Sequence, residues 1–277
     1  MGGMIGTMRG DRMLRAGGGG KTPVGPFQFG VSPGATFSVS SKISSLTGLT
    51  ISRDGLNAYV SDIADDTIHR FALATGWDVS SASDPNDSLA MSGRIGSLVG
   101  VEISQDGSKL YAMDSGVNVE QWTLAVPFDL STASYDGSGA ISGNTALRIS
   151  GDGYWAYAVS QGSSIIRQYS LGTQWDMTTA TAAGTLLTST DPLVDGQPYD
   201  IQFFDEGARA LVLIGTAYAL YEYVIATPYD LRTAAATGYR LPGVREIVNS
   251  RTFAMNPASK ATIWVGGSSE TLYQFNF

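Results

Sequence analysis

Four aromatic–aspartate pairs recur at intervals of about fifty residues: Trp77-Asp78, Phe128-Asp129, Trp175-Asp176 and Tyr229-Asp230. Carboxylates flanking a sugar do general acid–base work in glycosidases. Flat apolar rings match the apolar face of a sugar. Repetition argues against catalysis here. A residue placed once per repeat at the same turn points to different places, whereas catalysis needs convergence at one. An Asp followed closely by Ser or Thr is suited to capping backbone N–H groups in a tight turn. Asp54, Asp106 and Asp152, each before a glycine, read as turn residues by the same logic.

The remaining chemistry is sparse. Glu102 is an inward carboxylate candidate, and Asp200 lies just before the equivalent strand of the fourth copy. The only histidine, His69, is expected near the outside, and one imidazole cannot build a histidine triad or metal cage. Asp62, Asp65 and Asp66 could offer oxygen to calcium, but their spacing is not that of a helical calcium loop, and a solvated acidic loop is the expectation. Gly17-Gly18-Gly19-Gly20-Lys21-Thr22 has Arg15 where a phosphate-binding loop needs its leading glycine, and no strand precedes it. Arg9-Gly10-Asp11 is a chance-level tripeptide. No metal, cofactor or catalytic residue is expected.

The elements that hold these residues repeat with them. Each copy opens on an inner strand, Leu49–Ser52 and its equivalents Val101–Ser104, Leu147–Ser150 and Ile201–Phe204. Second strands follow around Ala58-Tyr59-Val60, Leu110-Tyr111-Ala112, Ala156–Val159 and Ala210–Leu213. Third strands run over 68–73, 119–124, 165–171 and 220–225. Short fourth strands are expected at Leu89–Met91, Gly139–Ile141, Thr185–Leu187 and Tyr239–Leu241. A fifty-residue repeat of short strands and sharp turns is the mark of a propeller blade. A fifth copy, from Phe253 to Phe277, stops after its third strand. The segment 35–41 can donate the missing strand and remove an exposed edge. The fold expected is therefore all-β: a five-bladed propeller of four-stranded blades, closed by an N-terminal strand completing the last blade. Thr50, Glu102, Arg148, Gln202 and Ala254 occupy matching inner positions and should form a polar ring at the axis, where Glu102 and Arg148 can pair.

Composition agrees. The 277 residues are 43% hydrophobic and 15% charged, with 34 glycines and no cysteine. The net charge of −8 is uneven, because residues 1–21 hold Arg9, Arg12, Arg15 and Lys21 against Asp11, a local +3 that leaves −11 for the rest. An acidic body excludes nucleic-acid binding through phosphate contacts. No apolar run approaches a membrane span, and the N-terminus lacks the apolar stretch of a secretory signal. Residues 1–34 are rich in Gly and Pro and form an arm that orders only against a neighbouring subunit; 35–277 form the propeller.

The succession of Ser-x-Asp-Gly turn, Tyr-Val, Ile-x-x-Tyr-x-Leu and Trp-Asp-Val-Ser-type segment resembles the propeller repeats of many bacterial and bacteriophage proteins. These are labelled lactonase-like or grouped by a Tyr-Val-Thr-Asn signature, although no copy of that signature is intact here. Phe37–Ser41 before Gly48–Ser52 resembles the phage-borne version, and the likeness spans about residues 35–277. It implies a non-enzymatic virion component, in a tail or head surface. The basic arm would dock to other virion proteins in a multimeric assembly, and the propeller would be displayed for a host receptor or glycan. From their place beside the turns, Trp77, Phe128, Trp175 and Tyr229 are expected to pack an outer loop against its blade, with a glycan platform as the functional alternative. The alternative implied is a lactonase-like hydrolase or glycosidase acting at the central channel.

Overall fold

The computed structural model describes residues 34–84, 87–91, 93–116, 118–188, 194, 196–215, 219–242, 251–256, 262–267 and 270–276. Arg9, Arg12, Arg15 and Lys21 of the expected assembly arm lie outside these residues.

β1 (Ala35–Ser38) precedes four successive sets of four strands. The first set is β2 (Leu46–Ile51), β3 (Asn57–Asp62), β4 (Thr67–Ala72) and β5 (Asp87–Ala90). The second is β6 (Leu98–Ile103), β7 (Lys109–Asp114), β8 (Asn118–Leu124) and β9 (Ala133–Gly139). The third is β10 (Ala146–Ile149), β11 (Trp155–Ser160), β12 (Ile165–Leu171) and β13 (Ala180–Leu187). The fourth is β14 (Pro198–Phe204), β15 (Arg209–Ile214), β16 (Ala219–Ile225) and β17 (Ala234–Pro242). β18 (Thr252–Met255), β19 (Thr262–Gly267) and β20 (Thr271–Asn276) follow. Each set is an antiparallel sheet in chain order, and the C-terminal strands form a further four-stranded sheet ordered β1-β20-β19-β18. The protein is an all-β propeller with four-stranded blades.

The strand expected over 35–41 is confined to Ala35–Ser38, with Ala35 opposite Gln274 and Ser38 opposite Thr271. Pairing stops there because the chain turns: the Val39 carbonyl takes the N–H groups of Lys42 and Ile43, each at 3.0 Å. The inner strands β2, β6, β10, β14 and β18 pack one on the next, and β18 returns to β2. Small residues permit this approach. A Cβ on Gly48 would lie 3.1 Å from the Gly100 Cα, and one on Gly100 would lie 3.2 Å from the Leu147 nitrogen.

The outer strands are longer than their sequence suggests. β9, β13 and β17 begin at Ala133, Ala180 and Ala234, directly after a 3-10 turn, rather than at residues 139, 185 and 239. Stretches such as Ala133–Gly139 face water on an outer edge and lack the apolar alternation that marks a half-buried strand.

The core lies between blades. Tyr59 and Ile68 of the first set pack with Val101, Leu110 and Trp122 of the second. Polar clasps cross the same seams. The Tyr59, Tyr111 and Tyr157 hydroxyls donate to the carbonyls of Phe128, Trp175 and Tyr229 in the next blade, at 2.6–2.8 Å. Burial pushes all three phenols far above their ordinary range, so they remain donors. One rung further out, Gln121 and Gln168 accept the N–H groups of Met177 and Leu231, both at 2.8 Å. Gln274 accepts that of Val79 at 2.7 Å, joining the last sheet to the first. Arg70 holds the matching rung of the first set, where its ion-pair partner Asp87 accepts the Leu130 N–H at 2.9 Å.

Candidate functional site

The turn carboxylates are engaged in local structure. Asp78, Asp129, Asp176 and Asp230 each accept the N–H of the residue two positions on, at 2.9–3.0 Å, at the start of a 3-10 turn. Asp54, Asp106 and Asp152 each accept a serine hydroxyl two residues back and an N–H two residues on. The acidic loop is similarly occupied. Asp62 accepts N–H groups from Ser44, Ser45 and Ala64 at 2.7–2.9 Å, Asp66 accepts that of Leu98 at 2.9 Å, and Asp65 is exposed. Among the described residues no three His, Asp or Glu side chains are grouped to hold a metal.

His69 corrects an expectation. It is 7% exposed on β4, not near the outside, and among the described residues neither ring nitrogen has a hydrogen-bond partner. Burial lowers its pKa against the opposing pull of Asp65 and Asp62.

The repeated aromatics form one module four times over. Trp77, Phe128, Trp175 and Tyr229 all have left-handed backbones, with φ of 62–69°. Their N–H groups donate to the carbonyls of Gly55, Gly107, Gly153 and Gly207 at 2.9–3.1 Å. Each ring lies so close over that glycine that a Cβ there would fall within 2.1–2.5 Å of it. Packing against the blade's own turn therefore fixes every ring.

These turns nonetheless converge. A cavity of about 560 Å³ opens at the end of the axis where the Asp-Gly turns gather, and Trp77, Trp175 and Tyr229 all line it. Phe128, expected in the same platform, does not. Asp205, Glu206, Arg53 and Gln105 add polar groups to the wall, and Arg53 hydrogen-bonds Gln105 across the first two blades. Asp205 and Glu206 both have positive φ, at 49° and 54°, in addition to the left-handed glycine that every one of these turns carries. They replace the serine–aspartate brace of the first three copies.

Thr50, Glu102, Arg148 and Gln202 line the axial side of the cavity. They stand at one rung, opposite Tyr59, Tyr111, Tyr157 and Leu211, with Ala254 at the corresponding place on β18. Arg148 is the hub. Its Nη1 donates to Glu102 Oε2 at 3.1 Å, and its Nε and Nη2 grip Asp200 at 3.0 and 2.5 Å. Nη2 also meets the carbonyls of Leu49 and Phe253, both at 3.0 Å, and the Thr252 hydroxyl at 3.1 Å. Rooted on β10, this one guanidinium is bonded to β2, β6, β14 and β18. Thr50 donates to the other oxygen of Glu102 at 2.7 Å, and Gln202 donates to the Phe253 carbonyl at 3.0 Å.

Asp200 lies within β14, not before it, and is completely buried. It holds the axial position that Gly48 and Gly100 hold in the first two blades. Ile201 N, Phe253 N and Thr252 Oγ1 complete its shell at 2.7–3.0 Å. Burial pushes both Asp200 and Glu102 above the usual carboxylate range, with Arg148 pulling the other way. For Arg148, burial opposes its charge, but Asp200 and then Glu102 outweigh it and hold it protonated. The sequence signal for Asp200 is an acid where the first two copies have glycine, the third Ala146 and the last Thr252.

No family model matches the chain, and no curated protein does. Among solved structures, a functionally unknown protein from Desulfotomaculum acetoxidans matches at 12% identity and TM-score 0.49, over 80% of this chain and 62% of that one. A β-propeller domain from Myceliophteria thermophila matches at 12% and 0.49, over 89% and 99%. A protein from Bacteroides uniformis described as a candidate 6-phosphogluconolactonase matches at 15% and 0.49, over 79% and 62%. The chain thus spans about three fifths of the first and third. Likenesses at this level carry no argument about activity.

Proposed function

We propose that the chain is a non-catalytic binding propeller, a ring of five blades with β1 completing the last, that takes a glycan in the axial cavity. The observation that carries this reading is the meeting of Trp77, Trp175 and Tyr229 in one cavity with amide and carboxylate groups beside them. Such a wall suits a sugar, whose apolar face stacks on rings while its hydroxyls bond to polar neighbours. The volume falls in the range of small-molecule sites. The axial carboxylates favour binding over hydrolysis, because Glu102 and Asp200 are tied to Arg148 rather than facing each other across open space.

Screening the purified chain on a glycan array is the direct test. Trp175→Ala should weaken the best glycan about tenfold, near 1.4 kcal/mol, with the fold retained. Absence of any glycan binding, or binding indifferent to both Trp77→Ala and Trp175→Ala, would overturn the reading. Turnover of a glycan or lactone by the wild-type chain that Glu102→Gln removes would favour the channel hydrolase instead.

The setting we propose is a phage-like particle, with the ring displayed and the basic arm docked to other particle proteins. The sequence resemblance and the +3 charge of residues 1–21 beside a body of −11 support it. Replacing Arg9, Arg12, Arg15 and Lys21 by Glu should abolish incorporation into particles and leave a folded ring; normal incorporation would refute the docking.

A further inference from the structure

A second cavity, of about 360 Å³, opens on the seam between the second and third sets, and Trp175 lines it as well as the axial cavity. Lys109, Gln121 and Asp136 come to it from the second set, and Asp176 and Thr178 from the capping turn of the third.

A bulge builds the first side. Lys109 opens β7 and faces Thr123 on β8. On β9 the register shifts between Gly137 and Tyr135, which makes Asp136 the extra residue and turns its carboxylate to the same place. The Lys109 ammonium donates to Thr123 Oγ1 at 2.7 Å and to Asp136 Oδ2 at 2.8 Å, and Gln121 Nε2 donates to that carboxylate oxygen at 3.0 Å. An ammonium has three N–H groups, so a third can serve a ligand. Gln121 Oε1 takes the Met177 N–H at 2.8 Å and pins the next turn across the seam. In that turn Asp176 Oδ1 accepts the Thr178 N–H and hydroxyl at 3.0 and 2.7 Å, and its second oxygen can accept from a ligand.

The following seam shows what fills such a groove. There Trp155 stands where Lys109 does, Ala183 replaces Asp136 in the bulge, and Arg232 stands where Thr178 does. A Cβ on Gly184 would come within 2.9 Å of the Arg232 Cγ, and the guanidinium grips Asp230 at 2.7–2.8 Å. The short Thr178 side chain leaves the corresponding space open.

We propose that the axial glycan continues over Trp175 into this groove, so that the ligand is a neutral oligosaccharide instead of a single sugar. The inference rests on the glycan reading of the axial cavity. A sugar hydroxyl both donates and accepts, and Lys109 and Asp176 offer one partner of each kind. Lys109 faces two carboxylates, Asp136 and Asp176, so the groove disfavours a uronate or a sialic acid.

Binding as a function of glycan length tests it. The probes are one- to four-unit ladders of β1,4-linked glucose, N-acetylglucosamine and mannose, together with the best glycan of the array and its trimmed forms. The wild-type chain should bind a longer form about tenfold more tightly than its terminal sugar. Thr178→Arg, which repeats the Arg232 arrangement and fills the groove, should remove that advantage. Lys109→Met should reduce it about threefold, the loss of one hydrogen bond, and it decides the matter if Thr178→Arg lowers the melting temperature. Trp77→Ala, in the axial cavity alone, should weaken short and long forms by the same factor. Equal affinity for one unit and several, a preference for acidic sugars, or a length advantage that survives both groove variants would overturn the extension and leave the axial site standing. Absence of binding to any glycan would overturn the axial reading itself.

Discussion

Arg148 and Asp200 meet side-on at the propeller axis, Nε to Oδ1 at 3.0 Å and Nη2 to Oδ2 at 2.5 Å, with Asp200 fully buried. Removing only the cation strands two buried carboxylates. Arg148→Met should therefore cost about 3–5 kcal/mol in urea denaturation. The triple change Arg148→Met, Glu102→Gln, Asp200→Asn should recover much of that loss. Failure of the triple variant to recover would mean that the guanidinium's contacts with Leu49 and Phe253, not the charge, dominate.

The pH dependence of the hub follows from Glu102, whose pKa burial raises. A carboxyl raised in the folded state contributes stability that is full below its unfolded pKa and is lost as pH rises through the folded value. Glu102→Gln keeps an oxygen for Thr50 without the charge. Its melting temperature relative to wild type should rise between pH 4 and pH 8, and a difference that shrinks over that window would contradict this.

His69 runs the opposite way. Its pKa is lowered by burial, so its contribution is present above the unfolded value near 6.5 and is lost as pH falls through the folded one. His69→Leu should flatten the decline in melting temperature from pH 7 to pH 5. An unchanged slope would show that the imidazole stays neutral throughout.

The ring-on-glycine modules can be separated into backbone and packing parts. A Cβ added to Gly116 (φ 75°) would meet nothing within 4 Å, whereas one added to Gly153 (φ 72°) would meet the Trp175 ring at 2.3 Å. Gly116→Ala should cost about 1–2 kcal/mol for the left-handed backbone alone. Gly153→Ala should cost a further 1–3 kcal/mol, about the penalty of overpacking. Equal melting temperatures for the two variants would show that the ring moves aside freely.

At the seam between the last sheet and the first, Gln274→Ala leaves the buried Val79 N–H without its acceptor. The expected loss is about 1–3 kcal/mol. Hydrogen exchange should quicken around residues 79–82 before it does in the Gln121-clasped turn at Met177. Uniform quickening would mean that the ring opens as a unit.

What is legible in the sequence is local. The Asp-Gly turns and the aromatic–Asp caps are completed within a few residues, so their residue types announce them. Thr50, Glu102, Arg148 and Gln202 can be aligned because they share one rung of a repeated strand. Asp200 reads as lying outside its strand because Asp disfavours strands and a bulge separates Pro198 from it. The clasping glutamines carry no local signature: their partners lie 56 to 195 residues away. Polarity suggests an outside place for His69, yet its rung on β4 faces the interior. The cavity is invisible for a similar reason, since convergence of separate turns is a property of the closed ring.

The antiparallel pairing of β1 with β20 also has a mechanical meaning. Ala35 faces Gln274, so the chain enters β1 and leaves β20 at the same end of that pair. A pull applied to the two chain ends peels the rungs apart singly, beginning at Ala35 and Gln274, instead of shearing them together. Under tension applied across it, this pair resists with one rung at a time.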